Sequence, residues 1–155
     1  LLILRPFETG DWIEVAGSSG VVKEVGLFTT SIDTFDNIFI SMPNSTIWSS
    51  TIINHSRHTQ RRLDIEIGVS YNSDLDNVEK TMLSLTDDPR IHQNPEPQFH
   101  VLSYADSSIL VRLRVYVDYD DMYALNWDLN KRIKKLFDSH NIEIPFAQLV
   151  LHNAD

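Results

Sequence analysis

The chain has no cysteine. Disulfides and thiolate metal sites are thereby excluded, and a reducing compartment is permitted. It also lacks any apolar run approaching the ~18 residues of a membrane-spanning helix. Positive charge is scarce: 13 Lys and Arg stand against 22 Asp and Glu, a formal net charge of −9. A phosphate-rich polymer is repelled at long range by that balance, which counts against nucleic acid as a partner. No nucleophile motif frames the Ser, His and Asp residues that occur, so the chain reads as a non-enzyme. The six histidines (His55, His58, His92, His100, His140 and His152) are scattered. Only His55 and His58 are close, and at i and i+3 on a strand-to-linker segment they point to different sides. No cysteine or carboxylate completes a metal set around them. Neither a metal nor a cofactor is expected.

What is present is a globular composition: 155 residues, 42% hydrophobic and 23% charged, enough for one ordinary domain or two small ones. The chain opens Leu1-Leu-Ile-Leu-Arg-Pro6, with apolar residues first and a cation after them. A secretory signal has the opposite order, so this start is expected to be the end of a longer apolar segment.

Residues 8–57 read as small and all-β. Gly10-Asp11 and Gly17-Ser-Ser-Gly20 are turn signals. Around them lie five short runs: Trp12–Val15, Val21–Val25, Phe28–Asp33, Ile38–Met42 and Ser50–Ile53. Strands at this spacing fit a small barrel. Asp36-Asn37 forms the turn between the third and fourth runs, because both residue types tolerate left-handed backbone. Pro43 ends the fourth, having no N–H to donate, and Pro43–Thr46 reads as a loop leading to Trp48. The aromatic stripe Trp12, Phe28, Phe35, Phe39 and Trp48 is expected in the barrel core and at a subunit interface. A core of about fifty residues is marginal alone, which is a physical reason to expect an oligomer.

Ile52–Asp76 is the joint between two packed units, polar and basic at Arg57, His58, Gln60, Arg61 and Arg62. From residue 63 the period changes. Leu63, Ile65, Ile67 and Val69 alternate with polar residues as a strand does. Ser73 with Asp76 predicts a capping box, followed by a helix burying Leu75, Val78, Met82 and Leu85. Asp87-Asp88-Pro89 stops that helix. Residues 89–97, with three prolines, read as loop. Phe99, Val101 and Tyr104 form a second strand, residues 105–108 a turn, and Ile109–Asp118 a third strand of strict alternation. Asp120 or Asp121 then caps a helix with Met122, Leu125, Leu129, Ile133 and Leu136 inward. Its cations at Lys131, Arg132, Lys134 and Lys135 suit the negative end of the helix dipole. Asn141 ends it, and Ile142–Ile144 begins the last strand.

The order βαββαβ is that of the ferredoxin-like plait, whose first and third strands are antiparallel neighbours. Asp64 and Glu66 are therefore expected beside Arg112 and Arg114, on the face away from the helices. At the tail, Ile142, Ile144 and Phe146 share one parity, whereas Leu149 and Leu151 take the other. A strand that leaves its own sheet and pairs with other copies accounts for this break.

Several stretches carry a resemblance. Arg5-Pro-Phe7 with Gly10-Asp11, Met42-Pro-Asn44, Ile52–Arg57, Arg61-Arg62, Ile67–Asp74, Trp127–Leu129, Arg132–Lys134 and Ile144–Gln148 together resemble the small-conductance mechanosensitive channel family. The match runs in order along nearly the whole chain. Two departures stand out: Pro145-Phe-Ala-Gln148 where the family often has Pro-Tyr-Pro-Gln, and Asp36-Asn37 where it often has Asp-Gly.

The resemblance implies an α+β fold in four parts. Residues 1–7 end a pore helix, 8–60 form a Sm-like β domain, 61–144 a ferredoxin-like α/β domain, and 145–155 a strand of a parallel intersubunit barrel. It implies a homoheptameric cage on the cytoplasmic side of the inner membrane, passing ions and small osmolytes during osmotic downshock. His58, Arg61, Arg62 and Asp64 would lie at side portals, where charge biases which ions approach. Pro43 and Asn44 would face the pore helix, and Phe146, Gln148, Leu149 and Leu151 would hold the end barrel. Two rival functions follow from fold analogy alone: a ligand-sensing regulatory domain of a membrane protein, and a Sm-like RNA-binding module, which the acidic balance disfavours.

Overall fold

The computed structural model describes residues 5–153, so part of the expected pore-helix end (residues 1–4) and the last two residues lie outside it. The chain divides into two compact units between Thr59 and Gln60.

The first unit is a five-stranded antiparallel sheet with strands β1 (Trp12–Val15), β2 (Ser18–Val25), β3 (Thr29–Asp33), β4 (Phe39–Pro43) and β5 (Ile52–Asn54), in the order β4-β3-β2-β1-β5. Ala16 and Gly17 both take positive φ (49° and 76°) and make the two-residue turn from β1 to β2. That backbone twist matches the strands it joins. The turn lies earlier than the Gly17–Gly20 signal predicts, and Ser18–Gly20 belong to β2. Gly20 is there for close approach: a Cβ would stand 2.5 Å from the carbonyl oxygen of Asp33. Asn37, at φ 66°, makes the turn between β3 and β4 as expected.

Pro43 is the last residue of β4, but Asn44–Trp48 is not a loop. It is a short helix, α1, whose one inward residue, Ile47, is 2% exposed. Burying that side chain decides the local conformation, which the polar residues around it do not predict. The core of the unit is Phe7, Ile13, Val15, Val22, Ile32, Met42 and Ile47. Phe28, Phe35, Phe39 and Trp48 are 62–78% exposed, which corrects their expected place in the core. Alternation explains this, since the sheet buries Ile13, Val22 and Ile32 on one face and leaves these rings at strand ends, in turns and, for Trp48, at the end of α1.

The second unit has a sheet of β6 (Gln60–Val69), β9 (Ile109–Asp118), β8 (Gln98–Tyr104) and the two-residue β7 (Ile91–His92). All three partners pair antiparallel with their neighbours, and β9 is central, joined to β6, β7 and β8. The proline-rich segment 89–97 thus contains a strand that sequence pattern misses, because two residues are too few for a period. Helix α2 (Leu75–Leu83) continues as a 3₁₀ turn over Ser84–Asp87. Its cap is Asp74, whose carboxylate accepts from the N–H of Asp76 at 3.0 Å, and not Ser73. Ser73 instead donates its N–H to Ser70 O in the preceding turn.

Helix α3 (Tyr119–Ser139) starts one residue before the predicted caps. Asp118 takes the N-cap position, and Asp120 and Asp121 fall in the first turn, where negative charge also suits the dipole. Its inward face ends on Phe137, fully buried, and Leu136 only borders the core. After Asn141, at φ 56°, no strand forms among the described residues. The expected last strand is reduced to one backbone bond, Ser70 N–H to Glu143 O at 2.9 Å. The core itself is continuous, from Leu63, Ile65 and Val69 through all five inward residues of β9 to both helices.

Candidate functional site

The outer face of β6 and β9 in the second unit is densely charged. Alternation turns Arg62, Asp64 and Glu66 away from the core, and Arg112 and Arg114 with them. The register pairs Asp64 with Arg114 and Glu66 with Arg112, as expected from the order of elements. The Arg114 fork donates to both Asp64 oxygens, Nε to Oδ1 at 2.8 Å and Nη2 to Oδ2 at 2.9 Å. Arg62 stands 3.5 Å and Arg112 3.9 Å from the same carboxylate. The Arg114 hydrogen bonds, helped by these charges and opposed by burial, hold Asp64 below the usual carboxylate range. The same bonds push Arg114 up.

Arg61, on the same strand, is half-buried opposite Val117. His58 is exposed before the division of the units. Of these four candidates, the structure brings Arg62 and Asp64 together. It adds Arg112 and Arg114 to them, and the alternation of β9 already marked those two.

A second charged knot was not anticipated. Asp88, its side chain 7% exposed, accepts from Arg90 three times: backbone N–H at 3.1 Å, Nε at 2.9 Å and Nη2 at 2.8 Å. Arg90 also reaches Asp128 on α3 at 2.9 Å, and Arg132 reaches Asp88 at 3.2 Å. The turn after α2 is thereby tied to α3. The Arg90 hydrogen bonds lower the Asp88 carboxyl to about 2. The readable signal was Asp128 and Arg132 at i and i+4 on one helix face.

In the first unit, polar residues at the end of β5 hold the entering chain. Asn54 Nδ2 donates to Pro6 O at 3.1 Å and to Asp11 Oδ2 at 2.7 Å. Arg57 Nη1 donates to Arg5 O at 2.8 Å, and the Trp12 N–H to Ser56 Oγ at 2.9 Å. These bonds give a physical role to the run Ile52–Arg57, whose polar residues sequence reasoning noted without explaining. Asn44 is similarly engaged. Its Oδ1 accepts from Thr30 Oγ1 at 2.8 Å, and its Nδ2 donates to Gly26 O at 2.9 Å and Leu27 O at 3.2 Å. It clips the β2–β3 turn, whereas Pro43 pairs in register with Thr29.

His55 stacks on Trp12 at 4.0 Å between ring centres and lies 3.5 Å from Glu14. No group of three or more possible metal ligands occurs among the described residues. Among these residues, no helix is long and apolar enough to cross a membrane. Beyond Asn141, Phe146, Leu149 and Leu151 are 79–88% exposed, and Gln148 donates its N–H to Ser107 Oγ at 3.1 Å.

Two family models match the chain. "Mechanosensitive ion channel, beta-domain" covers residues 1–57, and "Mechanosensitive ion channel MscS, C-terminal" covers residues 63–144. A small-conductance mechanosensitive channel of Edwardsiella ictaluri is 36% identical over 98% of this chain and 54% of its own length. One of Helicobacter pylori is 34% identical over 96% of this chain and 55% of its own. The chain thus spans about half the length of these relatives. Among solved structures, the crystal structure of Helicobacter pylori MscS in its closed state superposes at TM-score 0.91 and 32% identity. That match covers 99% of this chain and 62% of the other. The cryo-EM structure of Arabidopsis thaliana MSL1, at TM-score 0.73 and 22% identity over 92% of this chain and 54% of its own, shares the fold.

Proposed function

The chain belongs to the small-conductance mechanosensitive channel family, and from that membership we propose that it forms the cytoplasmic vestibule of an inner-membrane channel. The channel opens under membrane tension and releases ions and small osmolytes on hypo-osmotic shock. The observation that carries this reading is the match of 99% of this chain to the Helicobacter pylori channel at TM-score 0.91.

In this reading residues 8–60 are a Sm-like β domain and 61–144 a ferredoxin-like one. Residues 1–7 continue a pore helix, and copies of the chain assemble as a homoheptamer. The exposed rings of the first unit support assembly, since isolated domains rarely present so much apolar surface to water. Phe146, Gln148, Leu149 and Leu151 join their counterparts in a parallel end barrel within residues 145–155. Pro43 and Asn44 lie under the pore helix, where Asn44 keeps the Gly26–Phe28 turn in place. His58, Arg61, Arg62 and Asp64 border the portals. Arg114 already neutralises Asp64, so the 53% exposed Arg62 supplies the portal charge and Asp64 orients it.

A chimera tests the reading. This chain replaces the matching region of the Helicobacter pylori channel, and membrane patches are recorded under suction. Tension-activated currents are expected, with Arg62→Glu shifting the anion-to-cation permeability ratio toward cations. A chimera that reaches the membrane as an oligomer yet passes no current would sink the proposal.

A further inference from the structure

Helices α2 and α3 pass each other along the second unit, with Asn77 Nδ2 donating to His140 O at 3.1 Å. Between them lie two clefts that share Ser84. The smaller, of about 160 Å³, is lined by Asn77, Lys80, Thr81, Ser84 and His140. The larger, of about 340 Å³, has Leu85 and Leu136 for its apolar lining and Arg132 and Lys135 for its charge. The smaller cleft thus carries one cation, Lys80, and the larger two, in a chain whose net charge is −9.

Thr81 sets the smaller cleft apart. The residue is 2% exposed, and its buried hydroxyl has no hydrogen-bond partner among the described residues. Its neighbours are satisfied: Ser84 Oγ donates to Thr81 O at 2.6 Å, and Ser139 Oγ to Leu136 O at 2.8 Å. A buried hydroxyl left unpaired is destabilising, so its presence in a cleft beside Lys80 calls for an acceptor.

Two effects oppose an anion here. The net charge repels it, but at physiological ionic strength such fields fade over ~8 Å, and the charges within the clefts decide. The negative end of α3 also points at the smaller cleft, yet its last carbonyls already accept from the His140 N–H and Ser139 Oγ. Among the cations, Arg132 is engaged by Asp88, whereas Lys80 and Lys135 have no ion pair within 4.0 Å among the described residues.

We propose that the α2–α3 clefts bind a small phosphomonoester. Lys80 and the Thr81 hydroxyl hold the phosphate in the smaller cleft. Leu85 and Leu136 take a compact apolar body in the larger one, and Lys135 adds charge at its rim. The inference rests on the second unit alone and stands whether or not the channel reading does.

Calorimetric titration of the 155-residue chain with phenyl phosphate tests it. Saturable binding at one per chain is expected, weakening as salt rises. Thr81→Val and Lys80→Gln should each weaken it about tenfold, the loss of one charge-assisted hydrogen bond. Thr81→Val keeps shape and removes an unpaired group, so it should fold at least as well as the parent. Benzyl alcohol, which has the ring without the phosphate, should give no binding heat. Absence of saturation at millimolar phenyl phosphate, or equal affinity in both variants, would overturn the site. Benzoate binding as tightly would overturn the phosphate assignment.

Discussion

The two units solve the same problem with unequal means. Among the described residues the second buries eighteen apolar side chains in one continuous cluster, and the first buries seven. The first unit compensates with polar ties, Asn54, Ser56 and Arg57 to the entering chain and Asn44 to the β2–β3 turn. It also leaves Leu27, Phe28, Phe35, Phe39 and Trp48 in water. The second unit has long elements that each offer a full apolar face, so it can close a core by itself. Strands of three to eight residues cannot, and the remaining apolar surface is left for something else to cover.

The widest separation should come from Phe137→Ala. It empties a fully buried site on α3 and is expected to cost about 3–5 kcal/mol. In urea unfolding of the chain, only the transition of the second unit should move. A shift of both transitions would show that the units share their stability.

Next is Asp88→Asn, which removes the anion holding Arg90 and Arg132. The folded carboxyl lies at about 2 against an ordinary 3.8. A lowered value stabilises above the ordinary one and is lost as pH falls from about 4 toward 2, roughly 2 kcal/mol in all. The parent should lose stability across that window, and the variant should be less stable at pH 7 and flatter in acid. Parallel pH profiles for the two proteins would refute the assignment.

Asn44→Ala tests the polar side of the comparison. Removing an acceptor and two donations should cost the first unit about 1–2 kcal/mol and leave the second unit's transition unchanged. An unaltered first transition would mean that the clip is not needed. The smallest effect on folding should come from Trp48→Ser, within about 0.5 kcal/mol, because the ring is 62% exposed. Its consequence should be seen in native mass spectrometry, as a loss of oligomer relative to the parent. An unchanged distribution of masses would remove Trp48 from the assembly surface.

Much of the second unit was legible because its signals are long. Ten residues of strict alternation over Ile109–Asp118 define strand, face and register together, since a one-residue slip would turn five buried side chains outward. That register brought Asp64 to Arg114 and Glu66 to Arg112. The left-handed positions at Asn37 and Asn141 were readable from residue type. Short features were not. The helix at Asn44–Trp48 depends on burying Ile47, and the strand at Ile91–His92 on the free edge that β9 offers. The Asp88 knot joins residues up to 44 apart in the chain, a distance over which no local pattern reports contact.

Sequence by itself determined where the long elements lie, which of their faces turn inward, and which family the chain belongs to. Periodicity and motif spacing are local properties that persist whatever the chain packs against. Only tertiary structure decided which polar groups outside that sheet register meet, which aromatic rings stay in water, and that Thr81 is buried beside Lys80 with no hydrogen-bond partner for its hydroxyl among the described residues. Those outcomes depend on contacts between distant residues, and their energies exist only once the chain has closed.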